Sequence, residues 1–359
     1  MYNEREVYQL SIAAACRLIW PLDRLIVQVL DDSTDPTIME MVSIECVKWA
    51  STGINIKCER RDNRNGYKAG ALKQGMKHSY VKQCNYIAIF DADFQPEPDY
   101  LQRAVPFLIH NPELALVQAR WRFGTAGVWR MAALEEAGGW KDRTTVEDMD
   151  LAVRVGLHGW KFVFVNNIEV KSELPSQFKV FRFQQHRWSC GPANLFRKMT
   201  VEIIRNKRVT IWKKLYVIYS FFFVRKVIVH FFTFFFYCVI LPTSVFFSEV
   251  NIPTWSTMYV PFVITLFNAI ATPRSFHLVI FWVLFENVMA MHRTKGTFIG
   301  LLEGGRVNEW VVTEKLGDAL DTKLLPQVKK PHNGVFERIN AKEMMAVAFI
   351  ISGIGFVGT

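Results

Sequence analysis

The sequence predicts an α/β domain with a mostly parallel sheet, followed by an α-helical membrane region. Three observations carry that expectation. Short apolar runs alternate with helix-period segments over residues 1–200, two of those runs end in aspartates, and the chain turns strongly apolar from Val217. Buried parallel strands read as continuous apolar runs, and the helices between them cover both faces of the sheet. Half of the 359 residues are hydrophobic, which is high for a soluble protein.

Taken in order, "DRLIVQVLDDSTDP" gives a buried strand over Leu25 to Leu30 that ends in Asp31 and Asp32. Ser33, Asp35 and Pro36 open a turn, and "TIMEMVSIECVKWA" continues as an amphipathic helix. "INIKCERR" is strand-like and leads into the polar, glycine-bearing loop "RDNRNGYKAGALKQGMKHS", which passes into a helix. "YIAIFDAD" is another buried strand, ending in Asp91 and Asp93. "PDYLQRAVPFLIHNP" is a helix stopped at Asn111-Pro112, and "LALVQARW" is a further strand. Ligands of such sheets lie beyond the carboxyl ends of the strands. The aspartates therefore mark the lip of a nucleotide-sized crevice.

The second half reads differently. Residues 227–247 are apolar for the roughly 20 residues a bilayer requires, and 257–272 form a second candidate span. Residues 276–302, which include His277 and Glu286, read as an interfacial amphipathic helix on the cytosolic side, with a third span as the alternative. Residues 344–357 make only a partial final span. Arg197, Lys198, Arg205, Lys207, Arg208, Lys213 and Lys214 crowd ahead of the first span, so the net charge of +10 follows the positive-inside pattern. That placement argues against nucleic acid as a partner, the plainer alternative being a solvated basic helix face. The six cysteines are scattered without metal spacing, which fits reduced thiols on the cytosolic side, and Met1 leads into the domain with no targeting segment in view.

Four polar elements stand out: Asp31-Asp32, Asp91-x-Asp93, Glu147-Asp148 in "TTVEDMD", and "QQHRW" with Gln184, Arg187 and Trp188. Paired carboxylates at a strand end can hold Mg²⁺ or Mn²⁺, whose charge offsets their repulsion; an acidic loop is the plain alternative. A base that takes a proton from an acceptor hydroxyl would suit Asp148, although acids at a helix start are also favoured by the helix dipole alone. Arg187 offers a planar cation for a diphosphate and Trp188 a platform for a sugar ring; otherwise "QQHRW" is a basic juxtamembrane helix.

In this order the elements resemble the processive, inverting family-two glycosyltransferases of the cellulose synthase superfamily, whose catalytic domain has the GT-A fold. "NGYKAGAL" is similar to their nucleotide-diphosphate loop, and "WVVTEK" (residues 310–315) to their gating loop. "QVLDDSTDP", "GTAGVWR", "EEAGGWKDRTTVEDMDLAVR" and "QQHRWSCGPANLFRK" resemble the plant cellulose synthase-like A branch in particular, the Golgi (gluco)mannan synthases. The resemblance implies a β-1,4-mannosyltransferase using GDP-mannose and GDP-glucose to extend a β-mannan chain. The active domain would face the cytosol on a multi-pass Golgi membrane, with the bilayer as partner and a homo-oligomer allowed. It implies that Asp31, Asp32 and Lys68 hold the nucleotide and that Asp91 and Asp93 bind the diphosphate through the metal. Asp148 would be the base. Glu147, Gln184, Arg187, Trp188, Thr313 and Lys315 would contact donor or acceptor.

Three departures from that family are expected to matter. The leading membrane helix and first strand are absent, "QARWRFGTAGVWR" joins two segments that relatives hold far apart, and the last apolar stretch is shortened. A truncated, catalytically impaired form is the second reading they imply.

Overall fold

The run ending in Asp31 forms β1 (Val27–Asp31), with alternate residues buried. α2 (Pro36–Ser51) follows, its start fixed by Asp35, whose carboxylate accepts the Thr37 N–H at 2.9 Å. Pro36 sits in the first turn, where its missing N–H costs nothing. α2 carries the chain across to β2 (Ile56–Arg60), parallel to β1, with Asp31 level with Arg60. α1 (Tyr8–Cys16) closes this layer by packing Tyr8, Ile12 and Cys16 against Val27 and Val29 of β1 and Ile38 and Val42 of α2. The computed structural model describes residues 1–121, 126–172, 178–244, 246 and 279–302.

α3 (Tyr67–Gly75) follows β2. A second sheet holds β3 (Tyr86–Ile89), β4 (Phe94–Pro96), β5 (Leu114–Trp121), β6 (Gly127–Arg130) and β7 (Lys161–Ser172) in the order β3-β6-β5-β7-β4. Three helices pack on it: α4 (Tyr100–His110), α5 (Met131–Glu136) and α6 (Glu147–Leu157). Both faces are covered because adjacent strand residues point opposite ways. Val117 and Val128 face Tyr100, Leu101 and Leu108, while Leu116 and Trp129 face Leu134, Leu151 and Val155.

The α/β class is the expected one, but the strand directions are mixed rather than mostly parallel. β5 and β7 run parallel, whereas β3–β6, β5–β6 and β4–β7 are antiparallel. Connection length explains the β5–β6 pair. Five residues separate β5 from β6. A parallel return needs a crossover of about a dozen residues or more, so β6 must come back antiparallel. β3 is also half-buried along its length, not fully buried as its composition suggests.

The described residues divide into two units, one within residues 1–181 and 201–214 and the other within 182–200 and 215–302. α7 (Phe178–Arg205) runs through both ranges. In the second unit its middle packs against α11 (Val279–Leu302), where Gly296 and Gly300 lie over the backbone at His186 and Cys190. A Cβ on Gly300 would stand 2.3 Å from the Cys190 carbonyl oxygen, so only glycine allows this approach. Asn194 Nδ2 donates to the Gly300 oxygen at 3.3 Å, and Arg293 Nε to Gln185 Oε1 at 2.9 Å. α11 lies within the stretch read as an interfacial helix, and the described part is one continuous helix.

A helical run opens with α8 (Ile211–Leu215) and passes through π-type turns at Tyr216–Ile228. It continues as α9 (Val229–Phe235), π-type turns at Phe236–Ile240 and α10 (Leu241–Ser244). Among the described residues one helix, Ile211–Phe232, is long and apolar enough to cross a membrane, and little of it is buried. Its range overlaps the expected 227–247 span at residues 227–232, and Arg225 and Lys226 lie within it. The expected features at 257–272, 310–315 and 344–357 lie outside the described residues.

Candidate active site

Two parallel strands with level ends place Asp31 and Asp32 beside Arg60 and Arg61. Asp31 is fully covered: one oxygen accepts the Ser33 N–H at 3.1 Å and the other the Arg60 Nε–H at 3.1 Å. Its carboxylate therefore fixes the strand end and the turn after it. Asp32 is gripped at both oxygens by the Arg61 guanidinium, Nε to Oδ1 at 2.6 Å. The same guanidinium donates to the carbonyls of Asn65 at 2.8 Å and Tyr67 at 2.7 Å, so one side chain ties the β1 end to the 61–67 loop.

That loop is tightly wound. Gly66 and Tyr67 both have positive φ, 72° and 47°, and Tyr67 bears this strain without being glycine. Gly70 one turn on is pressed against the Asn65 carbonyl. The result is that Lys68, in the first turn of α3, points at β3. Its ammonium pairs with Asp91 and lies 3.2 Å from a Glu147 oxygen.

Asp91 and Asp93 sit in a tight turn closed by the Phe94 N–H on the Asp91 carbonyl at 2.9 Å. The Asp91 side chain is 31% exposed, and Asp93 is buried. Glu147 and Asp148 open α6, where negative charge is favoured by the helix dipole. Asp148 Oδ1 accepts the Met149 N–H at 2.7 Å. Burial works against the charge on Lys68, but Asp91, Glu147 and Asp148 outweigh it and hold the ammonium above its usual range. Burial pushes Glu147 up; Lys68 pulls it back, and Asp148 and Asp91 add to the rise. The end of β3 and the start of α6 thus form one acidic crevice bridged by a lysine.

The start of α6 is anchored from behind by groups to which the sequence reading assigned no role. Asp150 is fully covered and takes Arg154 Nε at 2.8 Å together with the Arg143 guanidinium. Arg154 also donates to the carbonyls of Ala137 and Gly139, the latter at 2.7 Å, and Arg143 reaches Glu202 at 2.8 Å. The signal for Asp150–Arg154 was present, since four residues on a helix bring two side chains together. Arg60 and Arg61 could have been found from the parallel pairing of β1 with β2.

Gln184, Arg187 and Trp188 belong to the second unit, on one face of α7. Gln184 and Arg187 are half-buried and Trp188 is 36% exposed, while Gln185 and Ser189, about 100° round the helix from Gln184 and Trp188, are buried. Thr313 and Lys315 lie outside the described residues. Among the described residues no three His, Cys, Asp or Glu side chains are placed to close round a metal ion. The carboxylates of Asp91 and Asp93 are of the kind that suits a hard divalent cation keeping water and phosphate oxygens as its other ligands.

Carboxylates thus gather just beyond the end of β3 and at the start of α6, with Lys68 among them. The chain matches the model of glycosyl transferase family 2 over residues 1–159 and that of glycosyl transferase family group 2 over 121–272. It belongs to the glucomannan 4-beta-mannosyltransferases of the cellulose synthase-like A family. It is 76% identical to probable glucomannan 4-beta-mannosyltransferase 11 of Arabidopsis thaliana, covering 100% of this chain and 96% of that one. It is 60% identical to glucomannan 4-beta-mannosyltransferase 1 of Oryza sativa subsp. japonica, covering 98% of this chain and 75% of that one. In three dimensions it is similar to a mannosyltransferase of Pyrobaculum calidifontis solved with GDP-Man and Mn²⁺. The TM-score is 0.57 at 17% identity, over 85% of this chain and 86% of that one, which shows a shared fold. The alignment with the first relative runs to 423 residues against 359 here, so at least 64 aligned positions have no counterpart in this chain.

Proposed function

We propose that the chain is an inverting β-1,4-mannosyltransferase that extends a (gluco)mannan backbone from GDP-mannose and, less often, GDP-glucose. The observation that carries the reading is the Lys68 bridge, which brings Asp91 at the end of β3 to Glu147 at the start of α6. Diphosphate-binding and acid–base groups thereby share one crevice.

Asp148 takes the proton of the acceptor 4-hydroxyl. The oxygen attacks the anomeric carbon from the face opposite the nucleotide, and the carbon–oxygen bond to GDP breaks with both electrons going to the diphosphate. One displacement inverts the configuration. Asp91 and Asp93 would hold Mg²⁺ or Mn²⁺, which would supply positive charge for the leaving diphosphate. Asp32, set by Arg61, and Lys68 hold the nucleotide, and Asp31 keeps their strand end in place. Glu147 and Gln184 orient the donor, Arg187 pairs with the diphosphate, and Trp188 stacks on the acceptor sugar. Thr313 and Lys315 close over the nucleotide. The apolar helix Ile211–Phe232 supports a membrane setting, in which the product crosses the bilayer of the Golgi.

The 64 or more absent positions favour a second reading, a form impaired at its acceptor site. Misplacing reacting groups by about 1 Å can cost about a hundredfold. Membranes expressing the chain, given labelled GDP-mannose and Mn²⁺, separate the two. Alkali-resistant mannan is expected, and its absence beside an active full-length relative selects the impaired form. Asp148→Asn should abolish transfer while leaving GDP binding nearly intact; equal loss of both rejects Asp148 as the base.

A further inference from the structure

We infer that Lys68 is an exchangeable counter-ion: it occupies Asp91 until a metal–nucleotide complex arrives, then stays with Glu147, so that free metal alone is kept out of the crevice. The inference rests on the metal role proposed for Asp91 and Asp93 and goes beyond it.

Four observations carry it. The Lys68 ammonium touches Asp91 and lies 3.2 Å from Glu147, so it has a second anion to hold when the first is taken. Glu147 is 5% exposed at its side chain and Asp91 31%, so the inner partner is permanent and the outer one is open to exchange. The wound loop and the Arg61 contacts fix the backbone of α3, leaving a flexible side chain to make the move. Finally, the described residues offer no third His, Cys, Asp or Glu side chain placed to close round the ion. A cation arriving without phosphate oxygens must displace an ammonium for the sake of two carboxylates. One arriving with a diphosphate brings both its own ligands and new anions for the ammonium to meet. The predicted consequence is an order of binding: nucleotide sugar and metal enter together.

The test is Mn²⁺ binding without nucleotide, followed by the loss of the free-ion paramagnetic resonance signal, on the purified full chain in detergent. Lys68→Met should bind Mn²⁺ at least ten-fold more tightly than wild type while binding Mn²⁺–GDP more weakly. Lys68→Arg, which keeps the charge, should retain the weak binding of wild type. Lys68→Gln repeats the neutral test with a side chain that can still hydrogen-bond Glu147, in case the methionine variant does not fold. A lysine whose charge does not reach the metal site would give no such gain on removal. Unchanged or weaker Mn²⁺ binding in the neutral variants overturns the inference. Asp93→Asn is the control for the underlying reading. If it loses Mn²⁺–GDP binding while the neutral Lys68 variants show no gain, the counter-ion role alone fails. If it binds like wild type, the metal assignment fails.

Discussion

Gly70 looks like an ordinary helix glycine, and on propensity alone Gly70→Ala would gain about 1 kcal/mol. The structure predicts the opposite. An added Cβ would lie 1.9 Å from the Asn65 carbonyl oxygen and 2.5 Å from the Arg61 guanidinium. The first distance is about 1.5 Å short of an ordinary contact. Its obstacle is backbone, held in place by Arg61 itself, so it cannot swing aside. Relief requires α3 to move off the loop, which loosens the Arg61 bonds to Asp32, Asn65 and Tyr67 and shifts Lys68. Overpacking costs about 1–3 kcal/mol, and bonds to charged groups about 1.5–3 each. Allowing for the propensity gain and partial relaxation, the wild-type loop conformation becomes less favourable by about 2–4 kcal/mol, and because GDP binding requires that conformation its affinity falls roughly 30- to 1000-fold. Calorimetric titration of detergent-solubilised protein with Mn²⁺–GDP measures it. Gly156→Ala is the control, because its Cβ would meet Phe162 at 3.5 Å, an ordinary contact, so the propensity gain should survive. Wild-type GDP affinity in Gly70→Ala would refute the reasoning.

Three further outcomes are expected. Arg154→Met leaves Asp150 to Arg143 alone and strands two carbonyls, which should lower stability by about 2–3 kcal/mol in denaturant unfolding of the solubilised chain; under about 1 kcal/mol would show that the network is dispensable. Near neutral pH, iodoacetamide should modify Cys58 ahead of Cys16 and Cys190 when native protein is followed by peptide mass spectrometry. The Cys46 hydrogen bond and then Arg60 lower Cys58, whereas burial pushes Cys16 and Cys190 up to about 11; equal labelling rates would contradict this. EDTA should stop mannosyl transfer, and Mn²⁺ or Mg²⁺ should restore it. Transfer that persists in chelator would remove the metal from Asp91 and Asp93.

Much of the fold was readable because local rules agreed with the tertiary outcome. The apolar runs became β1, β2, β3 and β5, and Asp35-Pro36 and Asn111-Pro112 fell at the helix ends they signal. β4, β6 and β7 were not recognised. β4 is three residues long, and β6 lies in "GTAGVWR", which reads as a loop; both are strands only because a neighbour completes their ladders. The mixed direction of the sheet depends on which strands become neighbours. No pattern within one strand encodes that.

The site divides in the same way. By itself the sequence determined which residue types end each strand, where charge gathers at the start of α6, and which family those motifs resemble, since each is a matter of composition and short-range spacing. Only the tertiary structure decided what each carboxylate faces. Asp31 and Asp32 read alike in one dimension, yet one is sealed against Arg60 and the other gripped by Arg61. Lys68 meets Asp91 and Glu147 across 23 and 79 positions of chain. The physical reason is that charge interactions fall off with distance through space, and spacing along the chain fixes that distance only within a helix turn or a strand.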